Sequence, residues 1–287
     1  MAIAPQAHAS HHAVIVSIDG LRPDVAMRAH MPALRSLMAR GSFTFFCATT
    51  DTAVTLPSHM SMLTGVPPAK HGIFFNVDPR SGDLLEPRWP TLFTLAHARG
   101  MTSAMSTGKS KFVLFSKPDV PEWRFVPETG THVSDAVAAD HAIEFLLKHR
   151  PALLFVHLPS PDLVGHVKGW GSPEQIVAAD SADLALGRLV KAIGKAGLKD
   201  STLIIVSADH GGAGLKHGGI DARSHFIPWI AAGPGVRHDF DLTRVAGLQV
   251  RTEDTFATVA AWLGITLEKP VDGHAMTEMY SASDSVR

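Results

Sequence analysis

The chain is punctuated by short, almost unbroken apolar runs. They cover residues 13–18, 43–47, 152–158, 201–207 and 226–232, and 102–107, richer in Ser and Thr, reads as a further strand. A strand that is apolar on both faces has to be covered on both faces, which is the condition of a mostly parallel sheet buried between helices. Helical spacings fall between the runs. Residues 31–40 carry Leu34, Leu37 and Met38 and stop at Gly41, and residues 91–99 are closed by Gly100. Residues 133–149 end before Pro151, residues 173–197 show a stripe through Ile176, Leu184, Leu189 and Ile193, and residues 253–263 form the last helix. This alternation predicts an α/β fold, a three-layer sandwich with a mostly parallel central sheet and helices on both faces. With 287 residues, 45% of them hydrophobic, and no internal repeat, the expectation is one domain over 13–287 after a flexible segment, 1–12. Pro- and Gly-rich stretches at 77–90 and 108–131 read as short excursions from it.

Composition narrows the partners. A formal net charge of −1 gives no basic surface for nucleic acid or an anionic membrane, so neither is expected. Cys47 is the single cysteine, so no intramolecular disulfide can form, which fits a reducing compartment. No apolar run approaches the roughly 18 residues that span a bilayer. Residues 1–12 lack the basic start and apolar centre of a signal peptide. The expected location is the cytoplasm, or the periplasm or exterior if a signal peptide was removed. The 17 histidines are the unusual count and suggest metal binding where they cluster with acids.

They do cluster, by the logic of the fold. In an open α/β sheet the functional crevice lies at the carboxyl ends of the strands. The runs end there in Asp19, in Asp162 and His166 four residues apart, in Asp209-His210, and in the turn Thr52-Ala53-Val54-Thr55-Leu56-Pro57-Ser58-His59. Each alone reads as a helix cap or a surface side chain. Their recurrence at one sheet edge makes a shared divalent-ion site the better reading. Thr55 stands where a strand turns into a helix, with Pro57 in the first turn and Gly65 as the stop.

The ordered set Ile18-Asp19-Gly20, Thr55-Leu56-Pro57-Ser58-His59, His71-Gly72-Ile73, Asp162-x-x-x-His166, Ala208-Asp209-His210-Gly211 and Gly273-His274 resembles the alkaline phosphatase superfamily, nearest its nucleotide pyrophosphatase/phosphodiesterase branch. The resemblance implies two divalent ions, usually zinc. It places Asp162, His166 and His274 on one, with His217 and His225 as alternatives to His274. It places Asp19, Asp209, His210 and the Thr55 oxygen on the other. It further implies that Thr55 is the nucleophile of a phosphothreonine intermediate, with net retention at phosphorus. Asn76 and the backbone amides after Thr55 would meet the phosphoryl oxygens. The substrate so implied is a small-molecule phosphate ester or phosphonate.

Departures refine it. The branch clamps nucleotide bases with aromatics at positions that here are Leu56 and, by count, His157. Lys109 and Lys111 follow a strand, and in related phosphomonoesterases and in phosphonoacetate hydrolase a basic pair in this region meets extra substrate charge. A phosphodiesterase with a monoesterase or phosphonoacetate-hydrolase-like alternative is therefore expected. Sulfatases need a Cys or Ser before x-Pro-x-Arg, which Thr55-Leu56-Pro57-Ser58-His59 does not provide. A phosphoglycerate mutase of this scaffold would want a serine nucleophile and a large insertion. A metal-binding protein without turnover is the non-enzyme alternative.

Overall fold

The structure is a computed structural model and describes residues 11–81 and 87–281. The segment 1–10 and part of the 77–90 excursion lie outside the described residues. The apolar runs become strands within a residue or two of their expected limits: β1 (His12–Ile18), β2 (Ser42–Ala48), β3 (Ser103–Thr107), β5 (Leu153–Leu158), β6 (Thr202–Ser207) and β7 (Phe226–Ala232). Two short strands join them, β4 (Trp123–Phe125) and β8 (Phe240–Asp241). Together they form one eight-stranded sheet in the order β4-β3-β5-β1-β6-β7-β2-β8. β1, β5 and β6 are buried along their whole length, as runs apolar on both faces demand.

Pairing is parallel from β4 through β6, while β7 runs against both β6 and β2. That one reversal matters for the site. A parallel β6–β7 connection would have to cross the sheet, whereas an antiparallel one lets residues 208–225 leave and return at the same edge. Everything on that connection therefore stays beside the carboxyl ends of β1 and β5.

The helices fall into two groups. Pro23–Arg28, Pro32–Ala39, Asp135–His149 and Ser160–Lys168 gather around the long helix Pro173–Lys195, while Thr55–Thr64, Pro68–His71, Leu92–His97 and Asp254–Trp262 form the other set. Two expectations need correcting. Leu184 is 70% exposed rather than part of an inward stripe. The buried face of its helix is built instead from Ala178, Ala182, Ala185, Leu186, Leu189, Ala192 and Ile193. That helix packs against Asp135–His149, where Ala138, Ala139 and Ala142 are buried, and small residues on both let such helices approach closely. The 108–131 stretch is also less irregular than its prolines suggest, since it holds a 3-10 turn, Ser110–Phe115, and β4 on the sheet edge.

Candidate active site

Thr107 of β3, His157 of β5, Ser17 of β1 and Ser207 of β6 share one row across the sheet. The residues immediately after that row make the site. Asp19 leaves β1 with its N–H on Leu158 O (2.9 Å). Gly20 then turns with φ 71°, and a Cβ at that position would come within 2.9 Å of Asp162, so the glycine is what lets the two acids face each other. Asp162 and His166 lie four apart on the helix Ser160–Lys168, on one face of it.

Thr55 is the first residue of the helix Thr55–Thr64. Val54 is its N-cap, and no side chain caps that end. Thr55 is thus not spent on capping; its Oγ1 lies 3.4 Å from His210 Nε2. Beneath it, His59 donates from Nδ1 to Thr55 O (2.7 Å) and accepts at Nε2 from Ser17 Oγ (2.8 Å), fixing the first helical turn to β1.

Two groups of possible ligands result, Asp19 with Asp209 and His210, and Asp162 with His166 and His217. Their hydrogen bonding follows one pattern. Each imidazole donates Nδ1–H to a backbone carbonyl: His210 to Gly211 O (2.9 Å), His166 to Leu215 O (3.0 Å) and His217 to Ala53 O (3.1 Å). That fixes the tautomer and leaves Nε2 as a bare lone pair. Each carboxylate likewise anchors one oxygen. Asp19 Oδ2 accepts from His157 Nε2 (2.7 Å) and Lys109 Nζ (2.6 Å), Asp162 Oδ2 from Lys109 Nζ, and Asp209 Oδ1 from Gly20 N–H (3.1 Å). The other oxygens, Asp19 Oδ1, Asp162 Oδ1 and Asp209 Oδ2, are buried without a partner. They face the bare nitrogens: Asp209 Oδ2 is 3.1 Å from His210 Nε2, and Asp162 Oδ1 is 3.4 Å from His166 Nε2 and 3.8 Å from His217 Nε2. Buried polar atoms left unpaired are costly, and acids with neutral imidazoles are a donor set suited to zinc or a similar divalent ion. The residues fit two such ions.

The electrostatics agree. Burial, reinforced by the stacked His217 ring, brings His210 down to about 3 and keeps it neutral. Burial raises the Asp209 carboxyl well above the carboxylate range, and the nearby Asp19 charge adds to it. Burial would do the same to Asp19, but the Lys109 ammonium and the His157 hydrogen bond outweigh it and hold that acid well below its usual value.

His274 does not join the site, correcting the expectation from Gly273-His274. Its Nε2 is bonded to Glu278 (3.0 Å) on the exposed side of the C-terminal region, and its backbone N–H is held by Asp254 Oδ1 (2.7 Å). His225 is also elsewhere, with Nε2 donating to Gly219 O (2.7 Å). His217 occupies the place. The two lysines separate as well. Lys109 turns inward onto Asp19 and Asp162, whereas Lys111 donates to Asn76 Oδ1 (2.8 Å). Asn76 Oδ1 also accepts the Leu56 N–H (3.1 Å), so that backbone amide is not open to a phosphoryl oxygen as expected. Leu56 is fully buried, and His157 lies inside against Asp19 and Phe112. Neither can stack on a base.

The sheet and its flanking helices define an alkaline-phosphatase-like α/β fold, and solved structures share it. Murine ENPP5, as an inactive threonine-to-alanine variant in complex with AMP, superposes with a TM-score of 0.79 at 17% identity, covering 94% of this chain and 100% of that one. The 2-O GAG sulfatase BT1596 gives 0.71 at 14% identity, covering 93% of this chain and 73% of that one. The chain belongs to the type I phosphodiesterase / nucleotide pyrophosphatase family, whose model matches residues 13–232, and so to the alkaline phosphatase superfamily. Among curated relatives, an uncharacterised pyrophosphatase/phosphodiesterase of Schizosaccharomyces pombe is 27% identical over 213 residues, 69% of this chain and 44% of the relative. Mouse ectonucleotide pyrophosphatase/phosphodiesterase family member 3 is 24% identical over 219 residues, 69% of this chain and 24% of the relative. The chain thus spans less than half the length of these relatives. No helix among the described residues is long and apolar enough to cross a membrane.

Proposed function

We propose that this chain is a metal-dependent phosphoric-ester hydrolase of phosphodiesterase type, acting as one domain from residue 13 onward, with Thr55 as nucleophile. The observation that carries the reading is the convergence of three imidazole nitrogens with three unpaired carboxylate oxygens in two groups, one of which meets Thr55 Oγ1 through His210. Asp19, Asp209, His210 and Thr55 Oγ1 would hold one divalent ion, zinc being the natural candidate, and Asp162, His166 and His217 the other. When bound, such ions supply Lewis acidity, lowering the pKa of a hydroxyl or water and offsetting charge on phosphoryl oxygens.

The protein's own groups do the rest. Thr55, once its proton is lost to solvent, attacks phosphorus in line, forming the Oγ1–P bond as the bond to the departing oxygen breaks. Water then breaks the Oγ1–P bond and restores the hydroxyl, and two displacements give net retention. The helix Thr55–Thr64 directs its amino end at the site, a favourable place for anionic oxygens. Asn76, with Oδ1 committed to Leu56 and Lys111, offers its NH2 to a phosphoryl oxygen. Family membership and the AMP-bound neighbour support a small-molecule phosphate ester as substrate. The burial of Leu56 and His157 disfavours a base clamp at those positions.

A second reading rests on Lys111. Burial, with Lys109 nearby, pulls its ammonium down to about 8, so it is largely charged at neutral pH. Placed beside Asn76, it suits the extra charge of a monoester or a carboxylated phosphonate. The deciding experiment compares a chromogenic phosphodiester with the matching monoester on zinc-loaded wild type, Thr55→Ala and Lys111→Met. Thr55→Ala should lose at least about a thousandfold in kcat on both while still binding zinc; undiminished turnover overturns the nucleophile. Lys111→Met should cost the monoester about tenfold more than the diester. Equal losses remove the second reading.

A further inference from the structure

Lys109 is placed unlike any other cation among the described residues. It is 7% exposed, and its ammonium donates to Asp19 Oδ2 (2.6 Å) and to Asp162 Oδ2. Those acids belong to different corners of the site. The oxygens it takes are not the unpaired ones: Asp19 Oδ1 and Asp162 Oδ1 stay bare while Lys109 grips the opposite oxygen of each carboxylate. The root of the side chain is fixed too, because Gly108 N–H donates to His157 Nδ1 (3.2 Å) while His157 Nε2 donates to Asp19. One imidazole therefore locates both the lysine and the acid it bonds.

We propose that Lys109 is a built-in third cation of this centre. It is a positioning strut that ties one acid of each corner to the other, presents their free oxygens before any ion arrives, and does not reach substrate. The inference rests on the two-ion reading above. Asp19 and Asp162, buried in one cluster, repel one another, and a single ammonium between them relieves that in the empty protein. Because it bonds the oxygens that the ions would not use, loading the corners has no reason to expel it. A substrate-binding lysine would behave differently, since it would have to leave both acids to reach a phosphoryl oxygen.

The test begins with protein stripped by EDTA. Lys109→Met, which keeps the stem and removes the charge, should melt about 10 °C below wild type, as expected for one partner lost from a buried ion pair in a chain of this size. In an Asp162→Asn background the same substitution should cost less than half as much, because one of the two acids is already neutral. That pair keeps the proposal testable if the single variant fails to fold. Wild type supplies a readout without substitution: acetylation of amines followed by mass spectrometry should leave Lys109 unmodified both before and after Zn2+ is added. A melt within about 2 °C of wild type, an equal cost in the Asp162→Asn background, or labelling of Lys109 on zinc addition would overturn the strut. If calorimetry shows that wild type takes up neither Zn2+ nor Mn2+, the two-ion reading fails, while the metal-free melts still decide the role of Lys109.

Discussion

The two corners of the site offer similar candidate ligands on unequal foundations. Asp19, Asp209 and His210 are completely buried, and each sits one to three residues past the end of a central strand. In the other corner Asp162 is buried, but the His166 side chain is 43% exposed, and His217 rides on the 208–225 connection, held by one hydrogen bond to Ala53 O. The sheet builds the first corner and a helix and a loop build the second. The difference predicts an inner ion held tightly in a site with little freedom, and an outer ion open to water and to the departing group.

Removing an imidazole from each corner tests that contrast, and the inner corner should show the larger effect. Four-ligand zinc sites supply about 10–16 kcal/mol in all, so one ligand accounts for roughly 3–4 kcal/mol where nothing can replace it. His210→Ala is therefore expected to weaken the tighter zinc-binding event several hundredfold in a chelator competition. If the affinity moves by less than tenfold, the inner corner is no more rigid than the outer one and the comparison fails.

The same contrast explains what could be read from the sequence. Asp19, Asp209 and His210 were legible because each follows closely on an apolar run, and Thr55 because it opens the helix that the turn after another run leads into; strand ends are fixed by the sheet. Asp162 and His166 were legible through their four-residue helical spacing. The third member of the outer group, His217, was legible only as an alternative to His274, because its position depends on how the 208–225 connection folds over Ala53, and no periodicity records that. Gly273-His274 resembled the family pattern in order, yet Asp254 holds the backbone of that histidine and Glu278 its exposed ring. Lys109 and Lys111, two residues apart, read as an equivalent pair; only the row of Thr107 beside His157 shows why the first turns toward Asp19. The signal for His217 was its nearness to Asp209-His210 on the one connection that begins and ends at the site edge. The stripe through Leu184 failed for another reason, since alanine-rich faces bury well and carry little apolar contrast.

Acid should separate the corners next. The helix carrying Thr55 rests on His71, whose Nδ1 accepts the Ile73 N–H (3.1 Å), so that Nε2 donates to Ser61 Oγ (3.1 Å). Burial lowers this imidazole from 6.5 to about 4. The unfolded chain thus binds the proton more readily than the folded one. The stability from keeping His71 neutral is complete above about pH 6.5, declines as pH falls, and is fully lost below about 4. A shift of this size corresponds to about 3 kcal/mol. Urea melts of metal-free protein from pH 7 to 4 should show that loss, and His71→Gln should flatten the profile. An unchanged slope in the variant would mean that the inner corner does not depend on this support.

The smallest effect belongs to the outer corner and is the most discriminating. At His217 water can take the vacated position, so His217→Ala should weaken the looser zinc-binding event about 10–100-fold and leave the tighter one nearly unchanged. His274→Ala, which breaks only an exposed bond to Glu278, should move neither event by more than about twofold. Isothermal titration of both variants with Zn2+ decides the assignment. If His274→Ala abolishes the looser event and His217→Ala does not, the C-terminal segment must swing inward when metal binds. The outer corner would then be assembled by the ion rather than waiting for it, the opposite of the inner corner beside it.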